Sequence, residues 1–503
     1  MTEEKKKKWP LVKGYNDGVY RHASVLEILF GTANSGNGTC FYMLMMYASY
    51  IATEGYGIAV ATMGIIATAC RLFDGVTDPI VGAMFDRFQP KKGKIRIFLI
   101  LGWIIEACCA FALYSWCASK LSGVTGLGVF VLIYIIYFIG YTINNVAGGV
   151  VTMVITNDPV QRPMMNLVST CYSYITPMIL TTVVSFSILP KYDNQYNAPM
   201  LREACYIYAL LGLAFVVLAC IFLKDVDTIE NFDRSGAAKK GEKIRLKDMW
   251  SVLKDNRALQ MFTIGTASDK IASTTASQTI VATMLSGILI GSYKATTIVG
   301  NVSMIIGISF LFIAGIHTGR VGAKKSNIVW NWISIIITGI MIVFCWYCYN
   351  FLPNKMLALG VMGVPLMIYV VLSCIKNGAG MAVTTITAVM GADVADYELE
   401  RSGKYMPGLV ANIKSLIDKF VSAFGNALAA VMITFIGYKN TVPQMGDPAT
   451  PALFWMCMFL SFGMPILGWI CTLVAMHWYD LTKDRMAEVQ QNIAKHKEAA
   501  KSE

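Results

Sequence analysis

Charge is scarce in this chain. Asp, Glu, Lys and Arg make up 15% of its 503 residues, against ~25% in an ordinary soluble domain. Hydrophobic residues make up 55%, and the mean hydropathy is +0.54. The net charge of +11 is no nucleic-acid footprint, because the basic residues sit in short stretches between apolar runs. Histidine is scarcer still: His22, His317, His477 and His496 lie at segment ends or in tails. The 13 cysteines scatter through apolar segments. The close pairs, Cys108-Cys109 and Cys345 with Cys348, have no histidine nearby and read as packing rather than as metal ligands or disulfides. No nucleophile–base or metal-ligand cluster can be built from sequence neighbours, so neither an enzyme nor a cofactor is expected. Nor is a signal peptide expected: Lys5 to Lys8 look like a basic leader, but polar residues follow where an apolar segment would stand.

What is abundant is long apolar sequence. Runs of ~20 residues recur along the whole length and predict a polytopic helical membrane protein. Twelve spans are expected at roughly 27–52, 57–86, 95–118, 124–150, 165–189, 203–223, 258–290, 293–316, 327–350, 356–390, 408–437 and 452–479. The predicted fold is therefore all-α integral membrane, with twelve transmembrane helices in two six-helix halves. The predicted domains are a tail (1–26), a first half (27–223), a linker (224–257) with an amphipathic segment near 246–253, a second half (258–479) and a tail (480–503). Of the 42 Lys and Arg, only Lys120, Lys191, Arg202, Lys294, Lys355 and Lys439 fall in loops on one side. The other side is strongly basic, which places both termini in the cytoplasm of a multi-pass plasma-membrane protein. Loop 82–94 and loop 315–325 are both Gly-rich and basic, and each follows the second span of a half. Six plus six spans with related hairpins is the major facilitator pattern.

The most informative run is Arg71-Leu-Phe-Asp74-Gly-Val-Thr77-Asp78-Pro79. Residues 71, 74 and 78 share one stripe of a helix, with apolar sequence on both flanks. A charge at that depth costs ~2.5–3.5 kcal/mol on insertion scales and usually faces a partner or an ion path. One arginine against two carboxylates leaves a net negative site, as a cation needs; a buried structural ion pair is the alternative. The first span carries Asn34 and Asn37 among small residues, the fourth Asn144 and Asn145, and the fifth Thr170 and Tyr172. These suit a hydroxylated substrate, although helix packing and interhelical hydrogen bonds would use the same residues. In the second half, Lys270 follows Asp269, Lys376-Asn377 lies mid-span in the tenth span, and Lys419 stands beside Asp418 in the eleventh. Lys376 is too deep to snorkel. Charges on the inner face are expected to latch an outward-facing state, Asp86, Arg87 and Arg162 meeting Asp393, Asp396, Glu398 and Arg401.

Together these runs resemble the melibiose-carrier family, the glycoside–pentoside–hexuronide:cation symporters of the major facilitator superfamily. The resemblance rests on the Arg71–Pro79 run, on Thr156-Asn-Asp158-Pro-Val-Gln-Arg162, on Ala392-Asp393-Val-Ala-Asp396-Tyr397-Glu398 and on Lys419-Phe-Val-Ser422-Ala-Phe-Gly425. It implies that Asp74, Asp78 and Thr142 ligate the cation and that Lys419, with Arg71, couples the halves. Thr77 stands where the family often has asparagine, so sodium and proton coupling both remain open. The galactoside contacts of the family fall on Gly38, Asn145, Gly149 and Thr170, which departs from a melibiose carrier.

The expected function is therefore cation-coupled symport of a sugar, glycoside or hexuronide by alternating access. The partners are that small molecule, a monovalent cation (Na+ or H+, the only metal expected) and the lipid bilayer, with no nucleic acid and a monomeric state. A carrier of a non-sugar solute such as a lysolipid is the alternative within the fold, and a receptor or intramembrane enzyme the alternative outside it.

Overall fold

The computed structural model describes residues 10–16, 20–88, 90, 93–156, 158, 161–228, 231, 252–402 and 407–502; of these, the side chains of 76, 86, 153, 163, 402, 407–412 and 494–502 are not described. The residues group into two compact units, Met1–Glu242 with Lys439–Val442 and Lys243–Tyr438 with Pro443–Glu503. The expected amphipathic segment near 246–253 falls outside the described residues except at Val252 and Leu253.

The first unit begins with an antiparallel hairpin, β1 Tyr15–Asn16 and β2 Arg21–His22, with Tyr15 opposite His22. Its helices are α1 Val25–Gly31, α2 Asn34–Met45, α3 Ala48–Tyr56, α4 Val60–Arg87, α5 Ile95–Phe111, α6 Gly123–Ile155, α7 Gln161–Val183 and α8 Ala198–Phe222. The second unit contains α9 Arg257–Ala276, α10 Thr279–Thr283, α11 Tyr293–Val321, α12 Ala323–Phe351, α13 Val364–Ser402, α14 Pro407–Thr434, α15 Pro451–Met458, α16 Met464–His477 and α17 Lys483–Ser502. Phe85, Phe98, Leu99 and Ile155 anchor the core of the first unit; Phe262, Trp330, Ile386 and Met390 anchor that of the second. Leu210, Phe312, Val343, Met362 and Phe435 are exposed. Lipid contact accounts for such a surface, and water does not.

Among the described residues, 10 helices are long and apolar enough to cross a membrane. The other two expected spans, the first and the seventh, are helical but interrupted. The first is cut into α1, α2 and α3, and Thr32 Oγ1 donates to the Ile28 carbonyl at 2.8 Å where α1 ends. The seventh stops at Ala276. There Thr275 donates to Ile271 O at 2.8 Å and Ser277 to Thr274 O at 3.2 Å. Hydroxyls that bond back to the preceding turn compete with the helix ladder and bend it.

Two further departures from expectation have local causes. The charged run 391–401, which lies between the expected spans 356–390 and 408–437, continues α13 as helix; it contains no proline, and Glu398 and Arg401 pair at helical spacing. The turn between α11 and α12 is a single residue, Gly322, at φ +87°.

Close packing of α5 on α6 depends on two glycines. A Cβ on Gly102 would lie 3.1 Å from Asn144 N, and one on Gly140 would lie 3.1 Å from Glu106 N. Each glycine stands one turn before a polar residue of its own helix, so the two bare surfaces bring Glu106 and Asn144 together.

Candidate cation and substrate site

Helix α4 presents the stripe read from the sequence. Asp74 is buried, and Arg71 Nη1 lies 3.9 Å from its Oδ2. Thr142 of α6 donates its hydroxyl to Asp74 Oδ1 at 2.5 Å. Thr77 is buried and gives its hydroxyl to the Asp74 carbonyl at 3.1 Å. The Arg71 guanidinium sits over the rings of Tyr42 at 5.6 Å and Phe138 at 5.4 Å, a favourable contact for a cation held out of water. Asp78 is half-buried one turn further on. Pro79 has no N–H to bond the Gly75 carbonyl, which frees a backbone oxygen beside the two carboxylates. Arg71, Asp74, Thr77 and Thr142 thus converge within the first unit.

The expected substrate residues of that unit separate into two sets. Asn145, Gly149 and Thr170 are exposed, and Tyr172 is half-buried with its hydroxyl on the Leu29 carbonyl at 3.1 Å. A Cβ on Gly38 would lie 3.6 Å from Asn145 Oδ1, and one on Gly149 would meet nothing within 4 Å. Gly38 of α2 and Asn145 of α6 are therefore adjacent, with open space at Gly149. Asn34, Asn37 and Asn144 instead turn inward and are buried. Asn144 donates to Glu106 Oε2 at 2.7 Å. Glu106 is absent from the sequence-based expectations. It carries the same insertion cost as Asp74, an acid within an apolar span, but stands alone in its own helix without the stripe that marks Asp74.

In the second unit, Asp269 accepts from Thr472 Oγ1 at 3.2 Å. Lys270 is exposed and lies within electrostatic reach of Asp418. Lys376 is held over the Phe462 ring at 5.0 Å, and no acidic group pairs with it among the described residues. Asn377 and Lys419 are half-buried.

Of the expected latch residues, Arg401 forks onto Glu398 with two bonds of 3.0 Å, and Asn256 donates to Glu398 Oε2 at 2.8 Å. Asp396 accepts from Gln490 of α17 at 2.8 Å, and Asp393 is half-buried. These bonds join α13 to neighbours in its own unit. Arg87 is exposed, Arg162 Nε donates to the Thr156 carbonyl at 3.1 Å, and the Asp86 side chain lies outside the described residues.

The Thr156–Arg162 motif has a role that its sequence did not disclose. Gln161 bonds both backbone groups of Ala23, at 2.7 and 3.1 Å, and Thr156 Oγ1 donates to Arg21 O at 2.6 Å. Asp158 meets His22 Nδ1 at 2.9 Å. The motif fastens the N-terminal hairpin to the end of α6.

A family model described as MFS/sugar transport protein matches residues 29–483. Similar proteins include the "Putative glycoside/cation symporter YagG" of Escherichia coli (strain K12), 24% identical over 94% of this chain and 95% of its own length. The "Glucuronide carrier protein homolog" of the same organism is 23% identical over 93% and 95%. "Uncharacterized symporter YjmB" of Bacillus subtilis (strain 168) is 23% identical over 93% and 94%. Among solved structures, a mutant of the nucleoside transporter NupG superposes with a TM-score of 0.58 at 12% identity, covering 90% of this chain and 100% of its own. A bacterial homologue of the iron transporter ferroportin gives 0.56 at 10%, covering 91% and 100%. Those two likenesses concern the fold alone. The chain belongs to the MFS/sugar transport protein family, multi-pass membrane proteins of the major facilitator superfamily, as the resemblance of its motifs to the melibiose carriers implied.

Proposed function

We propose that this chain is a secondary active symporter that couples a monovalent cation to uptake of a sugar, glycoside or hexuronide, with both termini cytoplasmic. The observation that supports it most is the buried Asp74 carboxylate, bonded by Thr142 and faced by Arg71. Two carboxylates against one guanidinium leave one negative charge. A single monovalent cation neutralises that charge and finds hard oxygen ligands in Asp74, Asp78 and the hydroxyls of Thr77 and Thr142. The cation is sodium or a proton. The substrate class follows the printed names of relatives, a glycoside/cation symporter and a glucuronide carrier homologue. The exposed Asn145 and Thr170 suit a hydroxylated solute better than an acyl chain.

Coupling then follows from linkage: if the cation tightens substrate binding, substrate tightens cation binding by the same factor. The test is uptake by Asp74→Asn and Asp78→Asn proteins in energised vesicles. Both are expected to lose accumulation against a gradient and to keep binding substrate. Accumulation by both variants at the unaltered level would sink the assignment. A thermal-shift screen of glycosides and uronides, with and without sodium, would name the substrate.

A second reading concerns substrate charge. Lys376 is a deep cation with an aromatic face and no acid beside it among the described residues, which favours an anionic sugar such as a hexuronide.

A further inference from the structure

Glu106 is fully buried on α5 and is not used by the α4 site. Its Oε2 accepts from Asn144 Nδ2 at 2.7 Å; its Oε1 has no hydrogen-bond partner. Asn37 of α2 faces the same carboxyl group, yet both of its side-chain polar atoms lack a partner, as does Asn144 Oδ1. The other ionisable groups in electrostatic reach are Cys40 of α2, Cys109 of α5, and Tyr137 and Tyr141 of α6. Each is neutral in its protonated form, and no Lys, Arg or His pairs with Glu106 among the described residues.

A buried carboxylate without a cation beside it is far more costly than a carboxylic acid. The orphaned atoms point the same way. Glu106 Oε1, Asn37 Oδ1 and Asn144 Oδ1 are acceptors, while Asn37 Nδ2 is the only orphaned donor of the group. Asn144 satisfies Oε2 while Oε1 is left bare, and one proton on Oε1 removes the charge from the buried group.

A route for this proton would run past α2. Asn37 lies on α2, the short middle piece of an interrupted helix. Helices α5 and α6 are locked together by Gly102 and Gly140, so α2 is the element that would have to move to uncover Glu106. Residues 142 and 144 of α6 project about 200° apart at ~100° per residue. One side of α6 therefore serves Asp74 and the other serves Glu106.

We propose that Glu106, with Asn37 and Asn144, is an exchangeable proton-binding site of the first unit, distinct from the Asp74 site. It does not depend on the symport reading, and its test needs no substrate. The purified full chain is examined by infrared spectroscopy in lipid, over the pH range in which it stays folded. The expected result is a carboxylic-acid C=O band at neutral pH that is absent from Glu106→Gln, present in Asp74→Asn and lost as pH rises. In parallel, the unaltered protein is treated with dicyclohexylcarbodiimide, which adds to protonated carboxyls in apolar sites, and its peptides are read by mass spectrometry. Labelling at Glu106 should fall as the band falls, and this arm holds even if Glu106→Gln does not fold. An unlabelled Glu106 with no Glu106-dependent band at neutral pH would mean an ionised carboxylate and overturn the proposal. A band or labelling that persists unchanged at every pH would mean a permanently neutral structural acid and overturn it equally.

Discussion

At the scale of single residues, the weight of the proposed cation site rests on a hydroxyl. Thr142 Oγ1 approaches Asp74 Oδ1 at 2.5 Å inside the unit. A hydrogen bond to a charged group contributes about 1.5–3 kcal/mol. Thr142→Val keeps the shape and removes the hydroxyl oxygen that would turn from Asp74 to the cation, so cation affinity should fall roughly ten- to a hundred-fold, with substrate binding recovered at saturating cation. Cation titration of intrinsic tryptophan fluorescence reads this; an unchanged cation affinity would remove Thr142 from the site. Legibility at this scale was uneven for a physical reason. Arg71, Asp74 and Asp78 stand out because charge in an apolar span is costly and shares one stripe. A threonine in such a span is ordinary, so Thr142 came only from the family resemblance. Glu106 met the same cost criterion as Asp74, but its partners Asn37 and Asn144 come from other helices and share no stripe with it, so no local pattern marked it.

At the scale of elements, the start of α5 is built from distant sequence. Asp227 accepts the backbone N–H of Lys94 at 3.1 Å and of Ile95 at 3.2 Å through Oδ1, and that of Arg96 at 3.0 Å through Oδ2. It caps a helix N-terminus that would otherwise bury unpaired donors. Asp227→Ala should cost about 1–2 kcal/mol, read as a lower melting temperature in detergent. The approach is so close that a Cβ on Gly93, at φ +84°, would lie 1.9 Å from the Asp227 carbonyl oxygen. Gly57, at φ +69°, has nothing within 4 Å. Gly57→Ala should therefore cost only the left-handed backbone penalty, about 1–2 kcal/mol, and Gly93→Ala clearly more. Equal melting temperatures for the two variants would contradict this account. The basic loop was legible as a Gly-rich hairpin, whereas the aspartate that closes it, far along the chain, was not. The same limit bears on the interrupted first and seventh spans: hydropathy marks where apolar sequence lies, not whether the helix through it runs unbroken, and the hydroxyl-to-carbonyl bonds at Thr32, Thr275 and Ser277 leave no mark on it.

At the scale of the whole molecule, charge bookkeeping decides what drives transport, and the deciding residue is Lys376. Lys270 has Asp418 within electrostatic reach, and Asp269 is engaged by Thr472. Lys376 meets the Phe462 ring, and among the described residues no acid pairs with it. A bound carboxylate would supply the missing counter-charge, and this supports an anionic glycoside or hexuronide. Moving one net charge through 100 mV is worth ~2.3 kcal/mol, about fifty-fold in accumulation. One cation with a neutral sugar draws on that voltage; one cation with a monoanion is electroneutral and does not. The expected outcome is uptake that follows the cation gradient and ignores membrane potential, measured in vesicles clamped with potassium and valinomycin at fixed cation gradient and one-to-one stoichiometry. Lys376→Ala should lose uptake while cation binding at the Asp74 site persists, since that site lies in the other unit. A voltage response near fifty-fold per 100 mV would rule out the anion, and uptake undiminished in Lys376→Ala would show that the lysine serves packing against Phe462 and not recognition.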